Sequence, residues 1–459
     1  MRKQRASIEE RKADLERLRD YLPLMPVPEG LVEKNGMLNG NKHTWYEYVP
    51  KSYTGQKPVP LLVYLHGGGR NGLDASRKST WPLVAEQEGF IVIYPNANNP
   101  SNKRPGGFSW NAFNHIGPDK GDDVAYLKWI IEKVCEGYQI DQSRIYMTGV
   151  SNGEMMTTHF ASVHTDMLAG ICGIVGPTDP NVMIDQDGNP IRASIPLPVY
   201  RWHGENDPLS PFPPYSHEDL DELANEYWLA VNQCSNLPQV HIQGINNTLV
   251  YTEGEAEFRF TILEGRTHLQ DLNVAMTVWK DFFSRFRRGE NGEILTIKNR
   301  QYDLKADSDA VIVADGGSQG FANGFKIRLD DHDEMVVAID KSIDGMQPDI
   351  LVPLTFISKA FGAIVEWETG GEDRVEIRKY VQTAVLQADI PIMITNGFHS
   401  IQLDVKPEMI NGQLMVPILA IAEHMLNKKV TYKNGVAYIS DHSAKIAYSM
   451  ATNLQSLLK

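Results

Sequence analysis

The stretch Gly149-Val150-Ser151-Asn152-Gly153 decides the fold of this chain. The apolar run Ile145-Tyr146-Met147-Thr148 precedes it, and a segment with a helical pattern, residues 154–163, follows it. A serine between two glycines at a strand-to-helix junction is typical of a nucleophile turn, because the glycines allow a bend that lifts the hydroxyl clear of the backbone. Since glycine is common in proteins, the pentapeptide needs support from the rest of the chain.

A glycine loop lies upstream of the serine. The strand-like run Leu61-Leu62-Val63-Tyr64-Leu65 ends in His66-Gly67-Gly68-Gly69. In this arrangement the loop supplies one backbone N–H of an oxyanion hole, and the residue after the nucleophile supplies the other. The pattern therefore predicts Asn152 as one of the two donors.

An acid and a base follow downstream. Asp207 comes soon after the apolar run Val199–Gly204, and His268 comes soon after the run Phe258–Leu263. A lone aspartate after a strand is usually a turn residue, and a lone histidine in a loop is usually solvated. The order Ser, Asp, His, each just past the end of a strand, is the order of the α/β-hydrolase fold. Together with the glycine loop it predicts a relay of Ser151, Asp207 and His268.

Strands and helices alternate from about residue 40 to residue 288. Continuous apolar strands separated by helices predict a mainly parallel sheet with helices on both faces. Ligands of such sheets bind beyond the carboxyl ends of the strands, where the serine, aspartate and histidine are expected. The predicted fold class is therefore an α/β-hydrolase fold, with a smaller α+β domain behind it.

The chain is too long for one ordinary core, since it has 459 residues. Its composition changes at Arg287-Arg288-Gly289-Glu290-Asn291-Gly292, a polar stretch that we interpret as a boundary. The predicted parts are a charged N-terminal helix (1–30), an α/β-hydrolase domain (31–288), a linker (289–300) and a C-terminal α+β domain (301–459).

The C-terminal part contains an internal repeat. The segment Val352–Trp367 recurs 64 residues later, beginning at Val416-Pro417. Each copy predicts a short helix starting at the proline and leading into a β-hairpin, the second of which turns at Asn434-Gly435. No serine, histidine or carboxylate recurs in a chemical arrangement, which favours a binding or scaffolding module. We therefore expect deletion of residues 295–459 to leave turnover of small esters nearly unchanged.

Charge and composition exclude some classes of function. The net charge of −14 argues against nucleic acid or an anionic membrane as a partner. No apolar run approaches the roughly 20 residues that a membrane span needs. The three cysteines lack metal-ligand spacing. A Ser-His-Asp relay needs neither a metal nor an organic cofactor, so none is predicted. The first twenty residues lack the apolar core of a signal peptide.

Residues 40–288 resemble the polyhydroxybutyrate depolymerase and feruloyl esterase group of α/β-hydrolases. The residues that carry the resemblance are Leu65–Gly69, Trp110-Asn111, Asp122–Val124, Asp141–Gly153, His203-Gly204 and Asp207. The resemblance implies that Ser151 is the nucleophile, Asp207 the acid and His268 the base, with Gly68 and Asn152 as oxyanion donors. Around the histidine the chain departs from the group, with Thr267 before it and Leu269-Gln270 after it.

The C-terminal repeats resemble the copper amine oxidase N-terminal-like domain, often called a stalk domain. The pattern from Val352 to Trp367 carries this resemblance, and no copper ligand set accompanies it. The resemblance implies an extracellular or cell-surface location, with cell-wall or carbohydrate contact through this domain. A cytoplasmic location is the alternative.

These observations predict a serine carboxylic-ester hydrolase. Feruloyl or acetyl esters of plant cell-wall polysaccharides are the favoured substrates, and polyesters such as polyhydroxyalkanoates are the alternative. An alternative of another class is a catalytically silent surface binding protein. Three loop aromatics, Trp110, Phe212 and Tyr215, are the candidates for stacking on a feruloyl ring or a sugar, although such residues equally often pack a loop onto the sheet.

Overall fold

The computed structural model describes most of the chain. The described residues are 7, 9–10, 12–13, 24–101, 105–112, 121–185, 187, 191, 195–235, 237–269, 274–297, 310–331, 336–341, 345–346, 348–368 and 373–459. The predicted N-terminal helix lies largely outside these residues. Within the described part, no helix is both long and apolar enough to cross a bilayer.

The first part of the chain forms a ten-stranded sheet. Twelve strands occur here in chain order: β1 (Leu31–Leu38), β2 (Asn41–Tyr48), β3 (Val59–Leu65), β4 (Ile91–Pro95), β5 (Asn99–Pro100), β6 (Phe108–Ser109), β7 (Ile140–Val150), β8 (Gly170–Ile174), β9 (Val199–Gly204), β10 (Gln239–Gln243), β11 (Asn246–Tyr251) and β12 (Phe258–Leu263). The sheet has the order β1-β2-β4-β3-β7-β8-β9-β12-β11-β10, and β5 and β6 form a separate two-stranded ribbon.

Helices connect the central strands. They are α1 (Gly72–Arg77), α2 (Trp81–Glu88), α3 (Asp123–Gly137), α4 (Asn152–Val163), α5 (Pro180–Met183), α6 (His217–Val231) and α7 (Val274–Asp281). The six strands from β4 to β12 in the sheet order are parallel to one another. Because both faces are covered, β3, β4, β8, β9 and β12 are buried along nearly their whole length, and β7 is buried from Ile145 to Gly149.

The predicted fold class is confirmed, because the sheet is mainly parallel and lies between helices, and the remaining chain is β-rich with short helices. The predicted apolar runs became the central strands β3, β7, β9 and β12. The sequence did not predict the antiparallel hairpins β1–β2 and β10–β11 at the two edges. Edge strands carry mixed polar and apolar residues because one face or one edge meets solvent, so their pattern is weaker.

The second part of the chain is built from small antiparallel sheets. Its strands are β13 (Phe286–Arg288), β14 (Ile294–Thr296), β15 (Val311–Ala314), β16 (Gln319–Ala322), β17 (Phe325–Arg328), β18 (Ile339–Asp340), β19 (Ile350–Pro353), β20 (Ile364–Trp367), β21 (Arg374–Lys379), β22 (Gln382–Gln387), β23 (Ile392–Thr395), β24 (His399–Gln402), β25 (Glu408–Ile410), β26 (Gln413–Pro417), β27 (Lys429–Lys433) and β28 (Val436–Ser440). Its helices are α8 (Leu354–Phe361), α9 (Ile418–Ala420) and α10 (Tyr448–Leu458).

The internal repeat folds much as its pattern predicts. In the first copy α8 starts directly after Pro353 and is followed by the paired strands β20 and β21. In the second copy helical turns start after Pro417 and lead into β27 and β28, with Asn434 and Gly435 at positive φ in the hairpin turn. The α-helix of the second copy is shorter than that of the first copy, because residues 421–425 form a π-helix.

The predicted limits between the two parts stay a proposal. The ten-stranded sheet uses strands between Leu31 and Leu263, and the larger C-terminal sheets use strands from Val311 onward. The predicted linker 289–300 is less irregular than expected, because β14 lies inside it and pairs with β13. Arg288 anchors this hairpin to the first part by donating from Nε to the carbonyl of Leu168 at 2.7 Å.

Candidate active site

The turn between β7 and α4 holds Ser151 in a strained conformation. Ser151 is the residue before the first residue of α4 and has φ 57° and ψ −121°, a region that non-glycine residues rarely occupy. The two flanking glycines are required by space, since a Cβ on Gly149 would lie 2.3 Å from the carbonyl oxygen of Gly153. A Cβ on Gly153 would lie 2.3 Å from the carbonyl oxygen of Leu65. This tight turn therefore places the serine hydroxyl at the edge of the sheet where the parallel strands have their carboxyl ends.

The acid and base loops converge on this serine. The Nε2 atom of His268 lies 2.8 Å from Oγ of Ser151, and its Nδ1 atom lies 2.6 Å from Oδ2 of Asp207. A carboxylate only accepts hydrogen bonds, so Nδ1 carries the proton and Nε2 is left to accept from the serine hydroxyl. The structure thus brings together the three residues that were predicted to form the relay, with His268 between Ser151 and Asp207.

Parallel neighbouring strands explain this convergence. β9 and β12 pair in parallel with Gly204 opposite Leu263, so the loops after them leave the same edge of the sheet side by side. Asn206 donates its backbone N–H to the carbonyl of Arg266 at 2.7 Å, which joins the two loops. Two chain segments some sixty residues apart therefore behave as one support for the relay.

Asp207 is held as a carboxylate. It is fully buried, and burial alone would raise its pKa; the neighbouring His268 and His217 and a hydrogen bond from the backbone of Leu209 outweigh burial and keep the pKa below its ordinary value. Oδ1 of Asp207 accepts the Leu209 N–H at 3.0 Å. One carboxylate oxygen thus anchors the loop while the other orients the histidine.

The glycine loop lies directly against the nucleophile turn. A Cβ built on Gly67 would lie 3.6 Å from Cβ of Ser151, and one on Gly68 would lie 3.5 Å from Cβ of Asn152. Both distances are ordinary van der Waals contacts, so the loop packs directly on the turn. The predicted oxyanion donors Gly68 and Asn152 are therefore neighbours beside the serine, which is the placement that the prediction needs.

His66 fixes the orientation of this loop. Its buried ring lies 2.9 Å from the carbonyl of Gly67 through Nδ1 and 3.1 Å from the N–H of Ala97 through Nε2. Burial lowers the pKa of His66 to about 4, so the ring is neutral, with Nδ1 donating and Nε2 accepting. Because the C=O and N–H of a trans peptide point in opposite directions, holding the Gly67 carbonyl also fixes the direction of the Gly68 N–H.

Two of the three predicted stacking aromatics are buried. Trp110 is 2% exposed, packs against His66 with the ring planes tilted by 35°, and donates its indole N–H to the carbonyl of His66 at 2.9 Å. Phe212 is 9% exposed and belongs to the hydrophobic core. For these two, stacking on a substrate is corrected to packing of their loops, because their rings are enclosed by protein. Tyr215 is 36% exposed and stays a candidate for substrate contact.

A buried charged network, which the sequence pattern did not predict, lies next to the relay. Its members are Glu154, Arg201, His203, His217 and Asp221. His203 lies 2.9 Å from Asp221 through Nδ1 and 3.0 Å from Glu154 through Nε2, while Arg201 lies 2.9 Å from Asp221. The sequence does carry a signal for this network, because Arg201 and His203 lie two residues apart within an otherwise apolar strand.

This network links the nucleophile to the acid loop. Glu154 lies in the first turn of α4, three residues after Ser151, and also accepts the backbone N–H of Gly176. His217 donates from Nδ1 to the carbonyl of Leu209, in the loop that carries Asp207, at 2.8 Å. The network therefore ties together the segments on which the relay is built.

The side chains of His203, His217 and Asp221 are close enough to hold a metal ion. The guanidinium of Arg201 already lies 2.9 Å from Oδ1 of Asp221 and 3.3 Å from Nε2 of His203. A fixed positive charge among these ligands would repel a divalent cation. We therefore interpret the cluster as a salt-bridge network.

The charge of His203 makes stability depend on pH. Burial alone would lower its pKa, but Asp221 and Glu154 override burial and raise the pKa to about 9. A raised pKa stabilises the folded protein fully below the ordinary value near 6.5, and the contribution is lost as the pH rises through about 9. We expect the free energy of unfolding to fall over this interval, measured by denaturant titration at constant ionic strength.

A histidine variant isolates this effect. His203→Gln is expected to be less stable at pH 6.5 and to show a flatter pH dependence than the wild type between pH 6.5 and 9. His164→Gln, at a partly exposed histidine after α4, is the control and should keep the wild-type slope. An unchanged slope in His203→Gln would assign the pH dependence to other groups.

Two family comparisons match separate parts of the chain. Residues 52–241 match the Phospholipase/Carboxylesterase family. Residues 343–439 match the Copper amine oxidase N-terminal domain family. Together with the relatives below, these matches confirm both resemblances that the sequence predicted.

The curated relatives include esterases and a depolymerase. A bifunctional acetylxylan esterase/xylanase of Neocallimastix patriciarum is 25% identical over 234 residues, which are 50% of this chain and 31% of the relative. Feruloyl esterase B of Neurospora crassa is 34% identical over 126 residues, 27% of this chain and 40% of the relative. Poly(3-hydroxyalkanoate) depolymerase C of Paucimonas lemoignei is 32% identical over 133 residues, 28% of this chain and 30% of the relative. The chain thus spans less than half the length of these relatives.

Among solved structures, an acetyl xylan esterase from Aspergillus awamori is similar with 17% sequence identity and a TM-score of 0.43. The similarity covers 55% of this chain and 99% of that chain.

Proposed function

We propose that the protein is a serine carboxylic-ester hydrolase that works through an acyl-enzyme. The observation that carries the proposal is the unbroken chain of hydrogen bonds from Ser151 through His268 to Asp207, with distances of 2.8 and 2.6 Å. Nucleophile, base and acid within hydrogen-bond distance of one another are the signature of covalent catalysis by an activated serine.

The relay would generate the nucleophile. A serine hydroxyl reacts poorly at neutral pH, so Nε2 of His268 takes its proton as the oxygen attacks the ester carbonyl carbon. The buried carboxylate of Asp207 keeps the proton of His268 on Nδ1 and stabilises the imidazolium that forms. The π electrons of the carbonyl move onto its oxygen, which becomes the oxyanion of the tetrahedral intermediate.

The glycine loop would stabilise that oxyanion. Backbone N–H groups of Gly68 and Asn152 are the proposed donors, and Asn152 also begins α4, whose N-terminal dipole favours negative charge. When the carbonyl re-forms, the bond to the leaving alkoxide breaks and the imidazolium of His268 protonates it. Water then attacks the acyl-enzyme by the same route and releases the acid.

The relatives support acyl esters of plant cell-wall polysaccharides as substrates. An acetylxylan esterase/xylanase and several feruloyl esterases are among the curated proteins that the first part of the chain resembles. The exposed ring of Tyr215, eight residues after Asp207, is the candidate contact for a sugar or a feruloyl group. Resemblance to a poly(3-hydroxyalkanoate) depolymerase supports a polyester substrate as the second candidate.

A silent binding protein is the less favoured alternative. Such a protein would have no physical reason to keep Ser151 in a strained conformation beside a correctly oriented histidine, because that strain costs free energy. We further propose an extracellular or cell-surface setting, on the basis of the match to the copper amine oxidase N-terminal domain.

A panel of substrates tests the proposal. We expect hydrolysis of p-nitrophenyl acetate and, at higher kcat/KM, of methyl ferulate or acetylated xylan, compared side by side with polyhydroxybutyrate. A fluorophosphonate should label the protein once, on Ser151, as read by peptide mass spectrometry. Absence of both turnover and labelling would favour the silent binding protein, and a preference for polyhydroxybutyrate would favour the second candidate.

A further inference from the structure

The segment before the last helix packs along the edge of the ten-stranded sheet. Gly244, in the turn between β10 and β11, donates its N–H to the carbonyl of Ser443 at 3.1 Å and accepts the N–H of Lys445 at 2.7 Å. The ring of His442 donates from Nε2 to the carbonyl of Ile242 at 2.8 Å. These bonds, two of them between main-chain groups, join the C-terminal part to the first part.

A buried asparagine strengthens this junction. The side chain of Asn247 in β11 donates to the carbonyl of Lys445 at 2.9 Å and accepts the N–H of Ala447 at 3.0 Å. Apolar side chains of this segment and of α10 belong to the same continuous hydrophobic core as the first part: Ala444, Ile446, Ala447, Met450, Ala451, Leu454 and Leu458. The C-terminal part is therefore firmly attached at the side of the sheet where the relay lies.

Glu205 connects this junction to the relay. It is 7% exposed and lies two residues before Asp207. Its Oε1 accepts the backbone N–H of Tyr448, the first residue of α10, and its Oε2 accepts the N–H of Gly265, three residues before His268, at 2.9 Å. A single carboxylate thus contacts the acid loop, the base loop and the end of a C-terminal helix.

The charges at this contact are complementary. The N-terminus of a helix carries a partial positive charge and unpaired N–H groups, and a carboxylate placed there is stabilised. A carboxylate as buried as Glu205 would be costly without such donors. The helix end and the carboxylate therefore hold each other in place across the junction.

We propose that Glu205 is a positioning residue, through which helix α10 of the C-terminal part holds the Asp207 and His268 loops at the spacing the relay needs. This inference rests on the proposed esterase function. Errors of about 1 Å in the position of catalytic groups can cost a hundredfold in rate. For deletion of residues 295–459 this proposal predicts a loss of turnover, the opposite of the expectation from sequence.

The position of Tyr448 offers a test that removes one N–H group. Proline is well tolerated at the first residue of a helix, and Ala447 has φ −71° and ψ 150°, which suits a residue before proline. Tyr448→Pro should therefore keep α10 while it deletes the bond to Glu205 together with the tyrosine ring. Tyr448→Ala is the matched control, because it removes the same side chain and keeps the N–H.

We expect kcat for p-nitrophenyl acetate to fall about tenfold in Tyr448→Pro, with KM unchanged, and to stay near wild type in Tyr448→Ala. The rate of inactivation by a fluorophosphonate should fall by a similar factor. In a double-mutant cycle with Glu205→Gln, the two losses should not add, since both variants disturb one contact. If Tyr448→Pro does not fold, Glu205→Gln carries the test with the same readouts.

The outcomes separate this inference from the proposed function. A wild type that turns over esters and labels on Ser151, with Tyr448→Pro equal to Tyr448→Ala in kcat and inactivation rate, would overturn the positioning role and leave the esterase intact. A loss confined to KM would also overturn it. A wild type without turnover or labelling would remove the proposed function, and the positioning role with it.

Discussion

Replacing Ser151 by alanine is expected to lower kcat for p-nitrophenyl acetate by about 10⁶-fold, the loss seen when a serine nucleophile is removed from an intact relay. The change deletes the atom that forms the acyl-enzyme while His268, Asp207 and the glycine loop remain in place. Any residual rate would come from substrate binding and the backbone donors alone. Fluorophosphonate labelling should disappear with the turnover.

A serine on the same helix provides the control. Ser162 in α4 donates its hydroxyl to the carbonyl of His159 and lies ten residues beyond the start of the helix. Ser162→Ala should keep activity close to wild type. The double variant Ser151→Ala, His268→Ala should be no slower than Ser151→Ala, because the two residues act as a unit. Equal turnover by wild type and Ser151→Ala would remove the esterase proposal.

The parts of the molecule that sequence could predict are those with local signals. Buried parallel strands carry continuous apolar runs, so β3, β7, β9 and β12 were visible as runs. The strained turn at Ser151 needs glycines on both sides, and that need is written into five consecutive residues. Because parallel strands end at one edge of a sheet, residues just past three of these runs could be predicted to meet.

The parts that sequence could not predict depend on partners far along the chain. In the sequence, Trp110 and Phe212 are simply aromatic residues in loops. Only the tertiary structure shows that Trp110 packs on His66. From its sequence context, Glu205 could equally be a surface residue. Only the structure shows that the first N–H of the C-terminal helix bonds to its carboxylate. Asp221 lies on a helix, and nothing in its local sequence indicates that it contacts His203. Buried polar contacts of this kind are set by tertiary structure.

The acid of the relay gives the second large expected effect. In Asp207→Asn we expect kcat to fall about 10⁴-fold, as occurs when the corresponding aspartate of a serine protease is replaced by asparagine. The Leu209 N–H donates to Oδ1 of Asp207 at 3.0 Å. An asparagine would keep its oxygen there and turn its NH₂ toward Nδ1 of His268, which lies 2.6 Å from Oδ2 in the wild type. Nδ1 must then accept, so Nε2 holds the proton and cannot take one from Ser151.

Asp207→Asn is therefore expected to lose catalytic activity and to keep its fold. KM for p-nitrophenyl acetate and the unfolding temperature of Asp207→Asn should stay near the wild-type values, while fluorophosphonate labelling slows in step with kcat. Asp141→Asn is the control, because Asp141 lies at the far end of β7 from the serine and pairs with Arg144 at 2.7 Å. A loss of less than about tenfold in Asp207→Asn would mean that the orientation of His268 is fixed by something other than this carboxylate.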